Sequence, residues 1–258
     1  MTITARTLLS VLLTAMWVAA TMALLRELGP DWGLYPPATC RATHCFCELP
    51  RTGSLLLQPA NSWSSFGFVV VGSWIMLGSR RGSALAGGPA LWLGFTAIVI
   101  GIGSVLLHAT LTLWGQFADV LGMYLLGSFT LVWALVRWRS LTPATAVVIY
   151  VALASGLIGL LWLMPETRRW LFAVLLVGAI GVEWWFARPM RPGVRPRLLL
   201  FGLSANALAF AIWILDQSRT VCAPGSVVQG HAAWHLLGAF AVACSYAYYR
   251  SERLPGSG

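Results

Sequence analysis

The sequence predicts an all-α, polytopic transmembrane helical bundle, and three observations carry that prediction. The chain is 58% hydrophobic and only 10% charged over its 258 residues, whereas a soluble domain carries about a quarter charged residues. Its mean hydropathy is +0.76. Apolar runs of about 20 residues, the length that crosses a hydrocarbon core, recur along it between short stretches rich in Arg, Pro or Gly. Little chain is left for a soluble domain, so residues 1–258 read as a single transmembrane domain.

Eight runs follow in order. The first, about Thr7 to Leu25, comes after Arg6 and in that respect resembles a secretory signal. Its apolar stretch is long for a signal, and Ala19-Ala20-Thr21 is an indifferent cleavage site, so residues 1–30 read as a retained amino-terminal helix. Removal of that helix would leave seven. Residues 31–61 read as an outer loop with three cysteines. Run two spans about Ser62 to Gly78 and ends at Arg80-Arg81; run three, about Ala90 to Leu111, follows Gly87-Gly88-Pro89. Run four covers Gln116 to Val136 and stops at Arg137 and Arg139. Run five, Ala144 to Met164, lies between Pro143 and Pro165. Run six, Trp170 to Ala187, lies between Arg168-Arg169 and Arg188-Pro189. Run seven, Leu198 to Leu215, follows Arg195-Pro196-Arg197, and run eight, Gly230 to Tyr249, ends at Arg250. Pro and Gly at such boundaries suit helix starts and stops. The core is thus expected over 62–249, with a tail at 250–258.

The net charge of +9 rests entirely on arginine, since the chain has no lysine, a composition that hints at a GC-rich bacterial source. A strongly basic chain can bind nucleic acid, but these arginines sit in short loops and no groove-reading motif accompanies them. With the amino terminus inside, the inner segments hold Arg6, Arg80, Arg81, Arg137, Arg139, Arg188, Arg191, Arg195, Arg197, Arg250 and Arg253. The outer ones hold Arg26, Arg41, Arg51, Arg168, Arg169 and Arg219. That imbalance places both termini in the cytoplasm. Cys40, Cys45, Cys47 and Cys222 then fall outside, where disulfides persist, and sequence alone leaves their three pairings open. Cys244 reads as a small buried apolar residue. A zinc site on His44, Cys45 and Cys47 lacks the usual spacer.

Polar groups inside a bilayer are costly and point to function. Ser104 and His108 are four apart near the outer end of run three, on one helix face. Gln116 and Asp119 share a face at the start of run four, one short turn away. His231 and His235 open run eight at i and i+4, with Trp234 between them, the spacing that lets two imidazoles hold one metal from a single helix. Three neutral nitrogens with an open fourth position are a catalytic zinc arrangement, and zinc brings the pKa of water to near 7. Asp119 is the acidic residue placed to move a proton, and Ser104 the hydroxyl placed to bond a developing oxyanion. Haem ligation, a proton pathway and a receptor that keeps the metal for stability are the other readings of the same residues. Glu183, beside Trp184 and Trp185, reads as interfacial, and Asp216 as ordering a loop.

At these residues the chain resembles the alkaline ceramidase family, within the superfamily that also holds adiponectin- and progestin-type receptors. The resemblance rests on Gly-x-Gly-Ser104-x3-His108, Gln116-x2-Asp119, His231-x2-Trp234-His235 and Gln58-Pro59-Ala60-Asn61-Ser62-Trp63-Ser64. It implies a seven-helix core, with the first helix additional to it. It implies zinc on His108, His231 and His235, with Ser104 and Asp119 as catalytic residues. The implied reaction is hydrolysis of the ceramide amide, with a lipid substrate drawn from the bilayer. It also implies a disulfide between Cys47 and Cys222. Relatives with a calcium site use an Asp-Trp-Cys-Glu-like run and a later Glu. Here the run is Cys45-Phe46-Cys47-Glu48 and the later position is Gln58. Glu48 alone leaves too few of the carboxylate oxygens calcium prefers, though it can cap a helix or meet a cation.

Overall fold

The computed structural model describes residues 3–43, 46–78, 83–191 and 193–252. His44, Cys45, Arg80, Arg81, Arg253 and the tail from 254 onward lie outside the described residues. Eight α-helices follow one another without strands among those residues. They are α1 Ile3–Leu28, α2 Pro59–Met76, α3 Gly87–Thr110, α4 Leu113–Arg139, α5 Pro143–Leu163, α6 Arg168–Gly181, α7 Pro196–Gln217 and α8 Gly230–Ser251. The all-helical expectation holds, and all but the last helix begin one to four residues before the apolar runs. Pro59 opens α2 and Pro143 opens α5, where a missing N–H costs nothing. Thr112 and Thr142 cap α4 and α5 by accepting from Gly115 N and Thr145 N.

Six helices are long and apolar enough to cross a membrane on length and composition: α1, α3, α4, α5, the Pro165–Met190 span containing α6, and α7. The helices α2 and α8 are not among those six. The reason is chemical, since α2 carries Asn61, Ser62, Ser64, Ser65 and Ser73, and α8 carries His231 and His235. Both are sheltered by neighbours. The α2 helix packs on α1, α3 and α8, and α8 on α2 and α7. The flanks α5 and α7 expose apolar side chains such as Val148 and Phe201, as lipid-facing helices do.

Close approach of helices depends on small residues, the usual device where lipid supplies no hydrophobic drive between helices. A Cβ on Gly72 would come within 2.4 Å of Gly94 O, and one on Gly103 within 2.3 Å of Ala118 O. The second contact locks α3 to α4 beside Ser104. The turn between these helices is two residues long, with Leu111 in the left-handed region at φ 49° and its N–H on Leu107 O.

Helix six departs from expectation. After Gly181 the chain makes a π-turn over Val182–Ala187, which carries Glu183 inward. Glu183 is 3% exposed, while its neighbour Trp185 is 70% exposed. Rather than sitting at the interface, Glu183 pairs with Arg137 and accepts from Tyr248 Oη at 2.7 Å. Arg137 also donates to Glu252 at 2.7 and 2.9 Å. This ion-paired cluster closes the end of the bundle where α8 finishes. The start of α1 lies at that same end, because Arg6 donates to Trp74 O near the close of α2.

Candidate metal centre

The opposite end of the bundle holds the histidines. His108 sits in the last turn of α3, and His231 and His235 in the first two turns of α8. Their ligand nitrogens all lie within 4.8 Å of one another, and all three side chains are buried. The ring centroids are 4.8, 5.0 and 4.5 Å apart for 108–231, 108–235 and 231–235. Two distant stretches of chain, predicted to converge, do converge.

Surrounding groups fix which nitrogens face the centre. Gln58 Nε2 donates to the Glu48 carbonyl at 2.8 Å, which orients its amide so that Oε1 faces His108 Nδ1 at 2.9 Å. Nδ1 must therefore carry the proton, and Nε2 keeps its lone pair. Ser64 and Ser65 donate their hydroxyl protons to Asn61 O, so at 2.9 and 3.2 Å from His235 Nδ1 they act as acceptors. His235 Nε2 is thereby also left with a lone pair. Metal-bound histidines are usually held at the other ring nitrogen in this way. His108 Nε2 and His231 Nδ1 are buried with no hydrogen-bond partner. Orphaned buried imidazole nitrogens of this kind are costly, and three imidazoles fit a divalent ion. Phe46, from the loop before α2, packs against the rings of His108 and His231, tilted to both, with centroids at 4.5 and 4.2 Å.

The other predicted residues cluster here as well. Ser104 lies one turn before His108, with Oγ 3.2 Å from His235 Nε2, and its hydroxyl faces the Asp119 carboxylate. Ser104, Asp119, His231 and His235 all line one cavity of ≈ 560 Å³. Gln116 also lines it, but its Oε1 accepts from the backbone N and Oγ1 of Thr39, both at 3.0 Å. It therefore ties the loop before α2 to α4. Trp234 lines the cavity and meets Phe210 edge-on at 4.6 Å.

The disulfide Cys47–Cys222 is present, and Cys244 is free and buried. Asp216 bonds Cys47 N at 3.3 Å and His231 N at 3.2 Å. It thus joins the cysteine loop to the start of α8, the ordering role expected of it. Glu48 spreads both carboxylate oxygens over the start of α2, accepting from Ala60 N at 2.8 Å and Asn61 N at 2.9 Å. Burial raises its carboxyl above the ordinary value, against the lowering pull of those two amides and of Arg51. Helix capping, one of the two roles open to Glu48, is the one this geometry displays.

Gln58, Ser64, Ser65 and Phe46 had no assigned role in the sequence. The polar residues inside an otherwise apolar α2 were the signal for Ser64 and Ser65, with Gln58 just before that helix, and Phe46 left none. The family model described as Ceramidase matches residues 43–255, from the cysteine loop to the tail, with α1 outside the matched span. A comparison with curated proteins found no match.

Proposed function

The chain belongs to the ceramidase family, and from that premise we propose that it is a zinc-dependent intramembrane hydrolase of ceramide or a related long-chain lipid amide. The observation that carries the metal part is the pair of bare, buried imidazole nitrogens on His108 and His231. His108, His231 and His235 would hold the ion. When bound, zinc supplies Lewis acidity at the amide carbonyl and brings water to a pKa near 7.

The chain's own groups then divide the work. Asp119, at the cavity wall beside Ser104, takes the proton from the attacking water and delivers it to the departing amine nitrogen. Ser104 Oγ donates to the oxygen on which charge develops. The lipid enters sideways. Helix α6 packs on α4 and α7 on α8, while Phe172 and Leu176 of α6 and Leu203 and Phe210 of α7 line the cavity. The seam between α6 and α7 is thus the natural route from the bilayer. The arginine distribution puts the histidine end at the outer leaflet and both termini in the cytoplasm.

Zinc content and hydrolysis of N-acyl sphingoid bases by purified protein test the proposal. About one zinc per chain is expected. His231→Ala should lose both metal and hydrolysis, and Asp119→Asn should keep the metal while turnover falls by about 10²–10⁴-fold. Full activity in His231→Ala would end the metal reading. An inactive wild-type protein that still holds zinc would make the centre structural.

A further inference from the structure

The cavity does not stop at the histidines. The same cavity that holds Ser104, Asp119, His231 and His235 reaches Glu183 and Tyr249. His235 and Tyr249 lie fourteen residues apart on α8, about 21 Å at the helical rise. An extended chain of roughly 16 carbons covers that distance, given C–C bonds of about 1.52 Å. Its middle is apolar, with Met123 and Leu176, and its far part sets polar groups among apolar ones such as Leu199 and Leu203. Thr130 of α4, Asn206 of α7 and Ser245 of α8 line it, each ten or eleven residues from Asp119, Asp216 or His235, hence about 15–17 Å from the histidine end. Glu183 lies beyond them.

These groups offer mainly acceptors. Thr130 Oγ1 donates to Gly127 O at 2.8 Å and Ser245 Oγ to Ala241 O at 3.0 Å, so their protons are engaged and their lone pairs remain. Glu183 Oε1 is held by Arg137 and Tyr248, yet Glu183 Oε2 is buried with no partner. The π-turn delivers this carboxylate to the cavity, and π-turns inside helices recur at functional sites. Thr130 and Ser245 are satisfied within their own helices, but an unpartnered carboxylate oxygen is expensive in a tunnel that holds only alkyl chain. The charges there are balanced, because Glu183 and Glu252 meet Arg137 and Arg191. A neutral donor therefore fits better than a cation.

We propose that the end of the cavity remote from the histidines is a second polar subsite, which takes a hydroxyl carried near the far end of a long acyl chain. The inference rests on the hydrolase reading only for what lies at the other end of the chain. It assigns to this protein a substrate class polar at both ends, an amide at the histidines and a terminal hydroxyl at Glu183.

Binding of free acids to the full-length protein tests this apart from catalysis. Hexadecanoic, 16-hydroxyhexadecanoic and 2-hydroxyhexadecanoic acid would each displace a fluorescent fatty acid, and amides of the same three acids would be assayed for hydrolysis. The terminal hydroxyl should tighten binding about 10- to 100-fold, the worth of a hydrogen bond to a charged acceptor. The 2-hydroxyl should not. Glu183→Gln disturbs the Arg137 pair, so the variant of choice is Thr130→Val/Asn206→Leu/Ser245→Ala, which spares that pair and should cut the preference several-fold. Equal binding of hexadecanoic and 16-hydroxyhexadecanoic acid, no binding of either, or an unchanged preference in the triple variant overturns the subsite. A preserved preference without hydrolysis of any amide sinks the hydrolase reading and leaves the subsite standing.

Discussion

Gln58→Leu should weaken zinc binding without removing a ligand. Gln58 is 1% exposed at the start of α2, and its two amide atoms bridge His108 Nδ1 and the Glu48 carbonyl at 2.9 and 2.8 Å. Leucine fills similar space but accepts nothing. The buried Nδ1–H then has no acceptor, at a cost of about 1–3 kcal/mol. The imidazole is also freed to move its proton to Nε2, the nitrogen that faces the centre. Loss of such a supporting group lowers metal affinity by about 10- to 100-fold, or roughly 1.4–2.7 kcal/mol. Chelator competition on purified protein, with thermal unfolding run alongside, reads this directly. Gln58→Glu keeps an acceptor against Nδ1, though it turns an oxygen in place of a donor toward the Glu48 carbonyl, so it should hold zinc more tightly than Gln58→Leu. The reasoning is refuted if Gln58→Leu holds zinc like wild type. It is equally refuted if the variant loses zinc as completely as His108→Ala, since that would make Gln58 a determinant of folding and not of tautomer.

Three further outcomes follow from the packing. Gly103→Val should force α3 from α4, because its Cβ would meet Ala118 O at 2.3 Å and Asp119 N at 2.9 Å. Turnover should fall by about 10²-fold, as for a displacement of about 1 Å at a reacting group, while zinc content stays near one per chain. Cys222→Ser opens a link across 175 residues and should lower stability by about 2–5 kcal/mol. Thermal unfolding with and without reductant measures the loss, and the variant should respond to reductant much less than wild type. Arg137→Met leaves Glu183 and Glu252 without their buried partner and should cost about 3–5 kcal/mol. Unfolding midpoints close to wild type would show the network to be dispensable.

The sequence disclosed the histidine cluster because its information is local. The i, i+4 pair His231 and His235, and the Ser104/His108 and Gln116/Asp119 pairs on either side of a two-residue turn, fix depth and face by helix geometry alone. What supports those residues was not local. Gln58 and Ser65 reach His108 and His235 across 50 and 170 residues of chain, and nothing in their own neighbourhood announces the partner. Glu183 was misplaced for a different reason. Its tryptophan neighbours marked it as interfacial, but within the π-turn Glu183 points inward while Trp185 points out. The pairing of Cys47 with Cys222 came from resemblance, since four loop cysteines are compatible with three schemes.

The helix outside the family span has a physical role that follows from the chemistry of α2. Polar groups at membrane depth are sheltered within protein, and α2 concentrates Asn61, Ser62, Ser64, Ser65 and Ser73, of which Ser64 and Ser65 hold His235 while Gln58, just before the helix, holds His108. Such a helix gains little from facing lipid. It is enclosed instead, by α3 and α8 on the sides that carry the histidines and by α1 on a third. Trp17, Val18, Met22 and Leu25 of α1 join Phe66 and Val69 of α2 in one apolar cluster. Arg6 fastens the far end, with its guanidinium 4.3 Å from the centre of the Trp74 ring and a hydrogen bond to Trp74 O. The apolar helix thus supplies the cover that the polar helix cannot supply for itself.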